Sequence, residues 1–475
     1  MWIKPGHRLF HYFQGMCQQA KNLYNTTNFF IRQAYTALTQ GKGCQPLQQE
    51  VLDTLHCWID KMNETQMLAH QKKVIKELLK SADQRKQVKP NVFSLPTKEN
   101  PMLSYSFLDA LFKAMRQENY CSLPTQSSQN IMKGVFQNWK GFFASRKAYQ
   151  KNPVAFTGKP HIPKYSRSLQ KEVILTNQDC VIKEGKYLKL PFTKYRLNIG
   201  KVGSTKGKLM QVRVIPSYGG YVVECVFSCE SHPQEHPLDR VMAIDLGIDN
   251  LATIVTNTGK TPTLVKGKAV KSINQYYNKQ KAYYLGILRQ GKKPNEGQKT
   301  SHRLECLHRK RFLKIKDFFH KASHHILQIA LQEKIGTIVI GHNTHWKRES
   351  NMGKRNNQSF CHIPHTLLIQ MIAYKAKHLG IQTIVREESY TSKASFLDGD
   401  NTPTYGEGDT KKVFSGKRIH RGMYRSAKGT LINADVNGAY NILRKEVPNA
   451  FANGIEGLDS LLAVAVSTPL VLIIR

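Results

Sequence analysis

Apolar residues in the first third of the chain recur at the spacing of an amphipathic helix. Leu23, Phe30 and Ala34 form one stripe, and a second stripe runs through residues 131–143. Positions that repeat every three or four residues lie on one face of a helix. The spacing predicts a helical region over residues 8–150, with a connecting loop from about residue 81 to residue 104.

The second stripe mixes aromatic and basic residues, because Trp139, Phe142 and Phe143 are interleaved with Lys140 and Arg146. Aromatic rings beside cations can stack on nucleic-acid bases. The same pattern is typical of a helix whose aromatic face packs in the protein core and whose opposite, basic face is exposed to solvent. We favour this second interpretation, and the first stays open.

Residues 160–235 change to an alternation of apolar and polar positions, as in Leu188 and Leu190 or Val212 and Val214. Alternation with a period of two, broken by glycines, is typical of short antiparallel strands. This region is therefore predicted to form a small antiparallel sheet or a β-barrel.

From residue 238 to residue 455, short apolar runs alternate with helical patterns. The predicted strands are 241–246, 251–256, 335–340 and 381–385, and the predicted helices are 301–333 and 365–378. Alternating strands and helices indicate a sheet covered by helices, so the fold class is α/β within a multidomain chain. The longer helix carries one apolar seam, formed by Phe312, Ile315, Phe319, Ala322, Ile326 and Ile329.

The charge of the chain indicates its partner. There are 71 Lys and Arg residues against 33 Asp and Glu residues, a net charge of +38. Between residues 266 and 316 there are 15 basic residues and only two acidic ones, Glu296 and Glu305. Such an excess favours a polyanion, and the basic helix is suited to lie along a nucleic-acid duplex rather than only to face solvent. No basic amphipathic anchor favours a membrane.

Two aspartates at the ends of apolar runs are the candidate chemistry. Asp245 ends the run from Val241, and Asp435 follows Leu431-Ile432-Asn433-Ala434. A carboxylate at the end of a buried strand is costly unless a cation neutralises it. Two such carboxylates can bind the two Mg²⁺ ions of a phosphodiester-cleaving site. The alternative is that Asp245 belongs to a turn and that Asp435 caps a helix.

The remaining composition bears on location. Nine scattered cysteines show no framework spacing, which suits a reducing cytoplasm, and the N-terminus lacks the apolar run of a signal peptide. We expect a cytoplasmic protein. The tail, residues 456–475, is predicted to be a strand, a packed tail or disorder.

At this point, three ordered motifs carry a resemblance. The segments 243–253, 387–393 and 433–442, which include Ile244-Asp245-Leu246-Gly247 and Asn433-Ala434-Asp435-Val436-Asn437, resemble the TnpB (OrfB) family over roughly residues 235–450. These transposon-encoded proteins are related to type V CRISPR nucleases, and the resemblance implies a prokaryotic, nucleoid-associated protein. The resemblance implies a helical recognition lobe, a β-barrel wedge domain and an RNase H-like (RuvC) nuclease domain. It also implies an omega-type guide RNA, taken from the transposon end, and a double-stranded DNA target beside a short motif.

The resemblance also implies domain boundaries. We expect the wedge domain in residues 1–10 and 155–237, the recognition domain in 11–154, and the nuclease domain in 238–397 and 430–455. Residues 398–429 would form an insertion that binds the target nucleic acid. We favour a monomer.

The chain departs from the family pattern at Gly341, where the family places a catalytic Glu. Glu387 and Glu388 end the neighbouring predicted strand, and an acidic pair there needs a cation or a base. We expect Glu388 to bind the metal in place of the glutamate that is missing at residue 341, and Glu387 is the second candidate for this role. The alternative is that the glutamate forms a salt bridge and binds no metal. The expected Mg²⁺ ligands and catalytic residues are therefore Asp245, Glu388 and Asp435, with Mn²⁺ as a possible substitute.

A neighbouring polar residue also receives an expected role. Asn437 is expected to orient one of these ligands.

The second departure concerns zinc. Most relatives carry paired Cys-x-x-Cys motifs before the last Asp, but residues 393–434 contain no cysteine, so no zinc is expected. A basic run takes that place and is expected to load DNA; its members are Lys411, Lys412, Lys417, Arg418, Arg421 and Arg425. Asp398 and Asp400 are alternative Mg²⁺ ligands, although their glycine-rich and proline-rich surroundings favour a loop.

These expectations define a function and its competitors. The sequence predicts an RNA-guided DNA endonuclease that cleaves double-stranded DNA by Mg²⁺-dependent phosphodiester hydrolysis. The alternative is a nuclease-inactive RNA-guided DNA-binding protein, which would act as a repressor or a transposition accessory. A DDE-like transposase is a third and weaker candidate.

Overall fold

The computed structural model describes residues 1–41, 43–201, 207–228, 236–293, 296–343, 353–404, 413–451 and 468–474. The chain divides into two compact units, Met1–Glu230 and Ser231–Arg475. Within the described ranges, none of the helices is both long enough and apolar enough to cross a bilayer.

The first unit contains five α-helices and seven strands in its described part. Its helices are α1 (Phe10–Thr39), α2 (Pro46–Leu78), α3 (Tyr105–Ala114), α4 (Glu118–Cys121) and α5 (Thr125–Lys151). Its strands are β1 (Trp2–Ile3), β2 (Val173–Thr176), β3 (Val181–Lys183), β4 (Tyr187–Lys189), β5 (Arg196–Asn198), β6 (Leu209–Ser217) and β7 (Gly220–Phe227). Only a short 3₁₀ turn, Ala82–Gln84, interrupts the loop predicted between α2 and α3.

The two predicted helical stripes pack against each other in the core of this unit. Leu23 and Ala34 of α1 and Val135 and Trp139 of α5 are fully buried. The Trp139 indole Nε1–H donates a hydrogen bond to Asn28 Oδ1 at 2.9 Å. A buried ring with a satisfied N–H stabilises the core and cannot stack on a base. The interpretation of this stripe as packed core is therefore confirmed for Trp139.

The strands of the first unit form two antiparallel sheets. One has the order β1-β7-β6-β2 and the other the order β3-β4-β5. β1, from the start of the chain, pairs with β7 through Trp2↔Val222. The pairings among the described residues define open sheets, so the closed barrel and the finer domain boundaries stay predictions.

The second unit alternates strands and helices as the sequence indicates. Its strands are β8 (Val241–Asp245), β9 (Asn250–Thr256), β10 (Thr263–Lys266), β11 (Thr337–Gly341), β12 (Gln382–Arg386), β13 (Lys417–His420), β14 (Met423–Arg425), β15 (Leu431–Asn433) and β16 (Leu470–Leu472). Its helices are α6 (Lys268–Leu288), α7 (His302–Gln332), α8 (Lys354–Cys361), α9 (His365–His378) and α10 (Ala434–Glu446).

The main sheet of this unit has the order β12-β11-β8-β9-β10-β16. β8, β9 and β10 are antiparallel neighbours, whereas β11 runs parallel to both β8 and β12. β16 joins the far edge in parallel with β10, so the predicted tail contributes a strand at 470–472. Residues 456–467 of that tail lie outside the described residues.

Helices cover both faces of the sheet because the strand side chains on both faces are apolar. Met242 and Ile244 face a core that includes residues of α7 and α9. Val241 and Ala243 face the opposite core, which includes Tyr440 of α10. The carboxyl end of β8 therefore lies between two packed layers.

The apolar seam of α7 is shorter than the sequence predicts. Ile315, Phe319 and Ile326 are buried, but the Phe312 side chain is 37% exposed. The inclusion of Phe312 in the seam is wrong, because the first turns of α7 pack on α6 through Leu304 and Leu307 instead of on the sheet.

Part of the predicted insertion, residues 398–429, forms strands. β13, β14 and β15 form a three-stranded antiparallel sheet. Lys411 and Lys412 of the predicted basic run lie outside the described residues, whereas Lys417, Arg418 and Arg425 belong to β13 and β14.

Candidate functional site

The candidate carboxylates lie at one edge of the main sheet. Asp245 is the last residue of β8, and Glu388 follows the end of β12 by two residues. β11 lies between these strands and pairs with both, through Ile340↔Ile244 and Gly341↔Arg386. Parallel strands place their carboxyl ends at a common edge, where ligands collect. The strand topology therefore places Asp245 and Glu388 at this edge.

Glu388 occupies the space that a side chain at position 341 would take. A Cβ atom built on Gly341 would lie 2.6 Å from Glu388 Oε2, and it would also overlap the side chain of Ile442 on α10. The Glu388 backbone N–H donates to Asn343 Oδ1 at 2.9 Å, which fixes the turn after β12. The sequence places Glu388 and Gly341 on different strands, but the structure brings the Glu388 carboxylate to Gly341.

A second glycine lets α10 approach Asp245. A Cβ atom on Gly438 would lie 3.0 Å from Asp245 Oδ2, which is tighter than an ordinary carbon–oxygen contact. Glycine removes that atom and allows close backbone approach. The first turns of α10 therefore pack directly against the Asp245 carboxylate.

Asp435 is oriented by neighbours that the sequence did not identify. Asn250, the first residue of β9, donates its Nδ2–H to Asp435 Oδ2 at 2.6 Å. Lys266 Nζ donates to Asn250 Oδ1 at 2.8 Å, which fixes the orientation of the amide. The only signal for Asn250 in the sequence is its place in the motif that follows Asp245.

Asn433 caps the N-terminus of α10, a role that the alternative interpretation gives to Asp435. Asn433 Oδ1 accepts hydrogen bonds from the backbone N–H groups of Asp435, at 3.0 Å, and Val436, at 3.3 Å. The interpretation of Asp435 as a helix cap is therefore wrong. Its side chain is left to interact with Asn250 and with the groups around Asp245.

Electrostatics also connects the three carboxylates. Burial raises the pKa of Asp245 to about 7, with a further contribution from Asp435 that Arg418 opposes. Burial likewise raises the pKa of Glu388 to about 8, with contributions from Asp245 and Glu387 that Lys445 opposes. The charge of Asp435 thus contributes to the raised pKa of Asp245, and the charge of Asp245 contributes to the raised pKa of Glu388. Such mutually repelling acids are neutralised by protons or by a cation.

The described residues contain no group of three carboxylate, imidazole or thiolate side chains close enough together to form a preformed metal cluster. Electrostatic interactions nevertheless connect Asp245 with both other acids, and carboxylate oxygens are the ligand type that Mg²⁺ prefers.

Glu387 has a different environment from Glu388. Its Oε2 accepts a hydrogen bond from Lys445 Nζ of α10 at 2.6 Å, and its Oε1 accepts one from the Ser389 N–H at 2.9 Å. Burial tends to raise the pKa of Glu387, but these hydrogen bonds outweigh it and the pKa is lowered. The salt-bridged role that the sequence left open for this acidic pair therefore belongs to Glu387.

Asn437 braces the backbone instead of a carboxylate. Its Nδ2–H donates to the Ala394 carbonyl at 2.8 Å, and its Oδ1 accepts from the Phe396 N–H at 2.9 Å. Asn441, one turn later, donates to the Thr391 carbonyl at 2.9 Å. The prediction that Asn437 orients a ligand directly is wrong. Both amides hold the segment that follows Glu388 against α10.

Asp398 and Asp400 are also used in backbone contacts. Asp398 Oδ2 accepts from the Ala427 N–H at 2.8 Å, and Asp400 Oδ2 accepts from the Ser395 and Ser415 N–H groups at 2.8 and 3.0 Å. Burial tends to raise the pKa of Asp398, yet its hydrogen bonds lower it. These acceptors are already satisfied, which disfavours both as alternative Mg²⁺ ligands and confirms the loop interpretation.

Cations border the site on the side of Asp435. A cavity of about 530 Å³ is lined by Asn250, Lys266, Arg418, Arg421 and Asp435, among others. One Arg418 guanidinium nitrogen lies 3.9 Å from Asp435 Oδ1, and Arg421 forms an ion pair with Asp249. The cavity combines an anionic end with cationic walls, as binding of a phosphate backbone beside a metal site requires.

Two family models match parts of the chain that lie mostly in the second unit. Residues 224–347 match the OrfB_IS605 family, described as a probable transposase. Residues 365–442 match the Cas12f1-like TNB domain. A TnpB-like protein, ORF457, of Acidianus two-tailed virus is 28% identical over 215 residues, which make up 44% of this chain and 42% of the viral protein. The match thus spans less than half the length of that relative.

Solved structures show a weaker similarity. Cas12f1 in a complex with sgRNA and target DNA has a TM-score of 0.44 and 12% identity, over 83% of this chain and 82% of that one. A CRISPR-Cas12f ternary complex has a TM-score of 0.32 and 13% identity, over 91% of this chain and 80% of that one. Because these TM-scores are below 0.5, the fold of the second unit is defined by its own strand order. The family matches confirm the resemblance stated from the three sequence motifs.

Proposed function

We propose that this TnpB-family chain is an RNA-guided DNA endonuclease that cleaves double-stranded DNA beside a short motif by Mg²⁺-dependent phosphodiester hydrolysis. The observation that carries the proposal is the position of Glu388. Its carboxylate fills the space over Gly341, where the family places a catalytic Glu, and it lies in the electrostatic field of Asp245. A site that had lost its function would have no reason to retain repelling acids there.

The sheet supports an RNase H-like (RuvC) assignment of the second unit. Three consecutive antiparallel strands, β8 to β10, are followed by β11 and β12, which add in parallel on the other side of β8. The family resemblance implies an RNase H-like nuclease domain in this part of the chain, with Asp245 as one of its acids. Asp245 is the last residue of β8.

The proposed metal ligands are Asp245, Glu388 and Asp435. When bound, Mg²⁺ (or Mn²⁺) supplies activation of the attacking water and charge stabilisation at the leaving 3′ oxygen. Asn250 holds the Asp435 carboxylate in a fixed orientation, and Lys266 holds Asn250. Arg418 and Arg421 line the adjoining cavity, where they can bind the phosphates that flank the scissile bond. We propose no zinc site in residues 393–434, which contain no cysteine.

The proposed partners are a guide RNA and a DNA duplex. The net charge of +38 supports large contacts with phosphate. One of the solved structures to which the chain is similar is a complex of Cas12f1 with sgRNA and target DNA. Guide pairing would select the sequence, and the protein would read only the adjacent motif.

A cleavage assay with reprogrammed guides tests the proposal. The protein is purified with its RNA, the guide segment is replaced, and supercoiled plasmids with matched and mismatched targets are incubated with Mg²⁺ or EDTA. We expect cleavage only with the matched target and Mg²⁺. Asp245→Ala, Glu388→Ala and Asp435→Ala should abolish cleavage while leaving guided DNA binding nearly intact, and Glu387→Gln should keep it.

Two outcomes would overturn parts of this proposal. If the wild-type protein binds matched DNA but never cleaves it, the nuclease-inactive alternative is correct, a repressor or a transposition accessory. If Glu387→Gln is inactive and Glu388→Ala is not, the ligand is Glu387.

A further inference from the structure

A groove between α6 and α7 lies outside the proposed nuclease centre of the second unit. It encloses about 670 Å³, and its lining residues come only from these two helices. None of the three candidate metal ligands is among them.

The α7 wall of this groove is cationic. Arg303, Lys310 and Lys314 line it at spacings of seven and four residues, which place them on one face of the helix. All three are exposed, and none forms an ion pair within the described part of the chain. No lining residue in the described ranges carries a carboxylate. Successive cations at a rise of about 1.5 Å per residue make a row suited to a phosphate backbone.

The α6 wall is aromatic. Tyr276 lines the groove with 63% of its surface exposed. Beside it, the Arg311 guanidinium lies 4.7 Å from the centre of the Tyr277 ring. Arg311 is held in turn by hydrogen bonds to Asn274 Oδ1, at 2.6 Å, and to the His362 carbonyl, at 2.7 Å. The floor of the groove is therefore rigid, and an exposed ring stands beside the cationic row.

We infer that this groove binds an unpaired segment of RNA. A base can stack on Tyr276 while its phosphates contact Lys310 and Lys314, the combination by which proteins hold single strands. Ser272 and Gln280 also line the groove, and their hydroxyl and amide groups can hydrogen-bond the 2′-hydroxyl of RNA. A second copy of the chain would bring another cationic groove against this one and would be repelled.

The inference deepens the proposed function and rests on it for the identity of the partner as guide RNA. It assigns one stretch of that RNA, unpaired, to the space between α6 and α7. RNA binding in this groove is separable from cleavage, because no residue that lines it belongs to the proposed metal site.

A binding assay without Mg²⁺ tests the stacking contact. The full chain, freed of copurified nucleic acid, is titrated in EDTA with a fluorescent ten-nucleotide oligouridine and with its 2′-deoxy counterpart. We expect Tyr276→Ala to weaken oligouridine binding about 10-fold and Tyr276→Phe to keep it, since stacking needs the ring. Tyr283→Ala is the matched control, because Tyr283 lies on the same helix with 63% exposure and does not line the groove.

The salt dependence tests the phosphate contacts. Lys310→Ala/Lys314→Ala should reduce the log–log salt slope of oligouridine binding by about 1.4, at about 0.7 per contact with a single strand. Lys268→Ala/Lys377→Ala removes the same charge from exposed positions outside the groove and should change the slope less. Unchanged thermal unfolding shows that each variant is folded.

Three outcomes would overturn the inference. These are equal slope changes in the two double variants, equal losses at Tyr276 and Tyr283, and binding of the deoxy strand as tight as that of the RNA. Each of them leaves the nuclease proposal standing, because EDTA removes cleavage from the readout. Conversely, a chain that never cleaves DNA but shows the expected losses overturns the cleavage proposal alone.

Discussion

At the scale of single residues, the Glu388 carboxylate is positioned by a neighbouring strand. β11 and β12 are adjacent and parallel, and the pairing Gly341↔Arg386 leaves Glu388 two residues beyond the end of the ladder. From there its side chain reaches back over Gly341. A glutamate is long enough for such a reach, and the absence of a side chain at residue 341 leaves room for the carboxylate. A glutamate that follows β12 instead of ending β11 can therefore still place its carboxylate at the same edge of the sheet as Asp245.

The first prediction exchanges the two positions. Gly341→Glu alone should not raise cleavage above wild type and should lower stability by about 1–3 kcal/mol, since the new side chain overlaps Glu388 and Ile442. Adding Gly341→Glu to the inactive Glu388→Ala variant should restore measurable cleavage, because the space of the Glu388 carboxylate is then open and only the end of the Ile442 side chain must move. Guided cleavage rates and thermal unfolding measure both effects. A single Gly341→Glu variant faster than wild type would show that Glu388 does not replace the missing acid.

The second prediction concerns pH. The pKa of Asp245 is raised to about 7 and that of Glu388 to about 8, by burial first and by neighbouring acids second. Their unfolded values are about 4, so the folded, metal-free chain holds protons that the unfolded chain has released. This stabilisation is complete below about pH 4 and is lost as the pH rises towards about 8.

Thermal unfolding in EDTA between about pH 5 and 8.5 measures this loss. The unfolding temperature should fall with pH, Mg²⁺ should reduce the fall, and Asp245→Asn should flatten it. Glu387→Gln is the control, because the lowered pKa of Glu387 has the opposite sign and its stabilisation is lost only as the pH falls. A profile for Asp245→Asn as steep as that of wild type would contradict the assignment.

At the scale of elements, the sequence predicts most of the second unit. The helix over residues 365–378 matches α9, and the four predicted strands match β8, β9, β11 and β12 within two residues at each end. These elements are long or strongly apolar, so their periodicity reflects the burial that stabilises them. Asp245 and Asp435 could be recognised for the same reason, since a charge beside a buried run is conspicuous.

The small sheet β13-β14-β15 could not be predicted in the same way. β13 carries Lys417, Arg418 and His420 and has no apolar face. Its sequence therefore lacks the alternation of apolar and polar residues by which a strand is recognised. The choice between Glu387 and Glu388 likewise needed the register of β12 and the position of Lys445 on α10. Asn250 and Asn437 act through partners more than 40 residues away, which no local pattern indicates.

The third prediction tests the amide brace on α10. Asn437→Ala removes the hydrogen bonds to Ala394 and Phe396. The Ala394 carbonyl keeps its hydrogen bond from Asn441 Nδ2 at 2.8 Å, whereas the Phe396 N–H loses its side-chain acceptor, which costs about 1–3 kcal/mol. We expect a lower unfolding midpoint in urea and a larger loss of cleavage than of DNA binding. Asn401→Ala, at an exposed position, is the control and should change neither. Equal losses of cleavage and binding would show that the brace does not position Glu388.

At the scale of the whole molecule, the net charge of +38 is the dominant property. Like charges on a compact chain repel one another, and a bound polyanion removes that repulsion. The basic residues of α6 and α7, and those that line the cavity beside Asp435, show that the excess extends to two described surfaces of the second unit.

The fourth prediction is that the purified protein carries a structured RNA of defined sequence. Sequencing of the copurified RNA measures this, and RNase treatment should lower both solubility and the unfolding temperature, since the charge is no longer neutralised. A matched preparation with RNase inhibitor is the control. Random host RNA, together with stability that RNase leaves unchanged, would contradict it.

The last strand of the main sheet has a practical consequence for anyone who shortens this chain. β16 pairs with β10 through Leu264↔Val471, and the Leu470 N–H donates to the Pro262 carbonyl at 2.8 Å. Residues 468–474 thus shield the edge of β10, and an unshielded strand edge is a template for association with other molecules. A protein trimmed after α10 for use as a compact tool would retain the proposed metal ligands and yet tend to aggregate. For delivery or storage, those few residues should be kept.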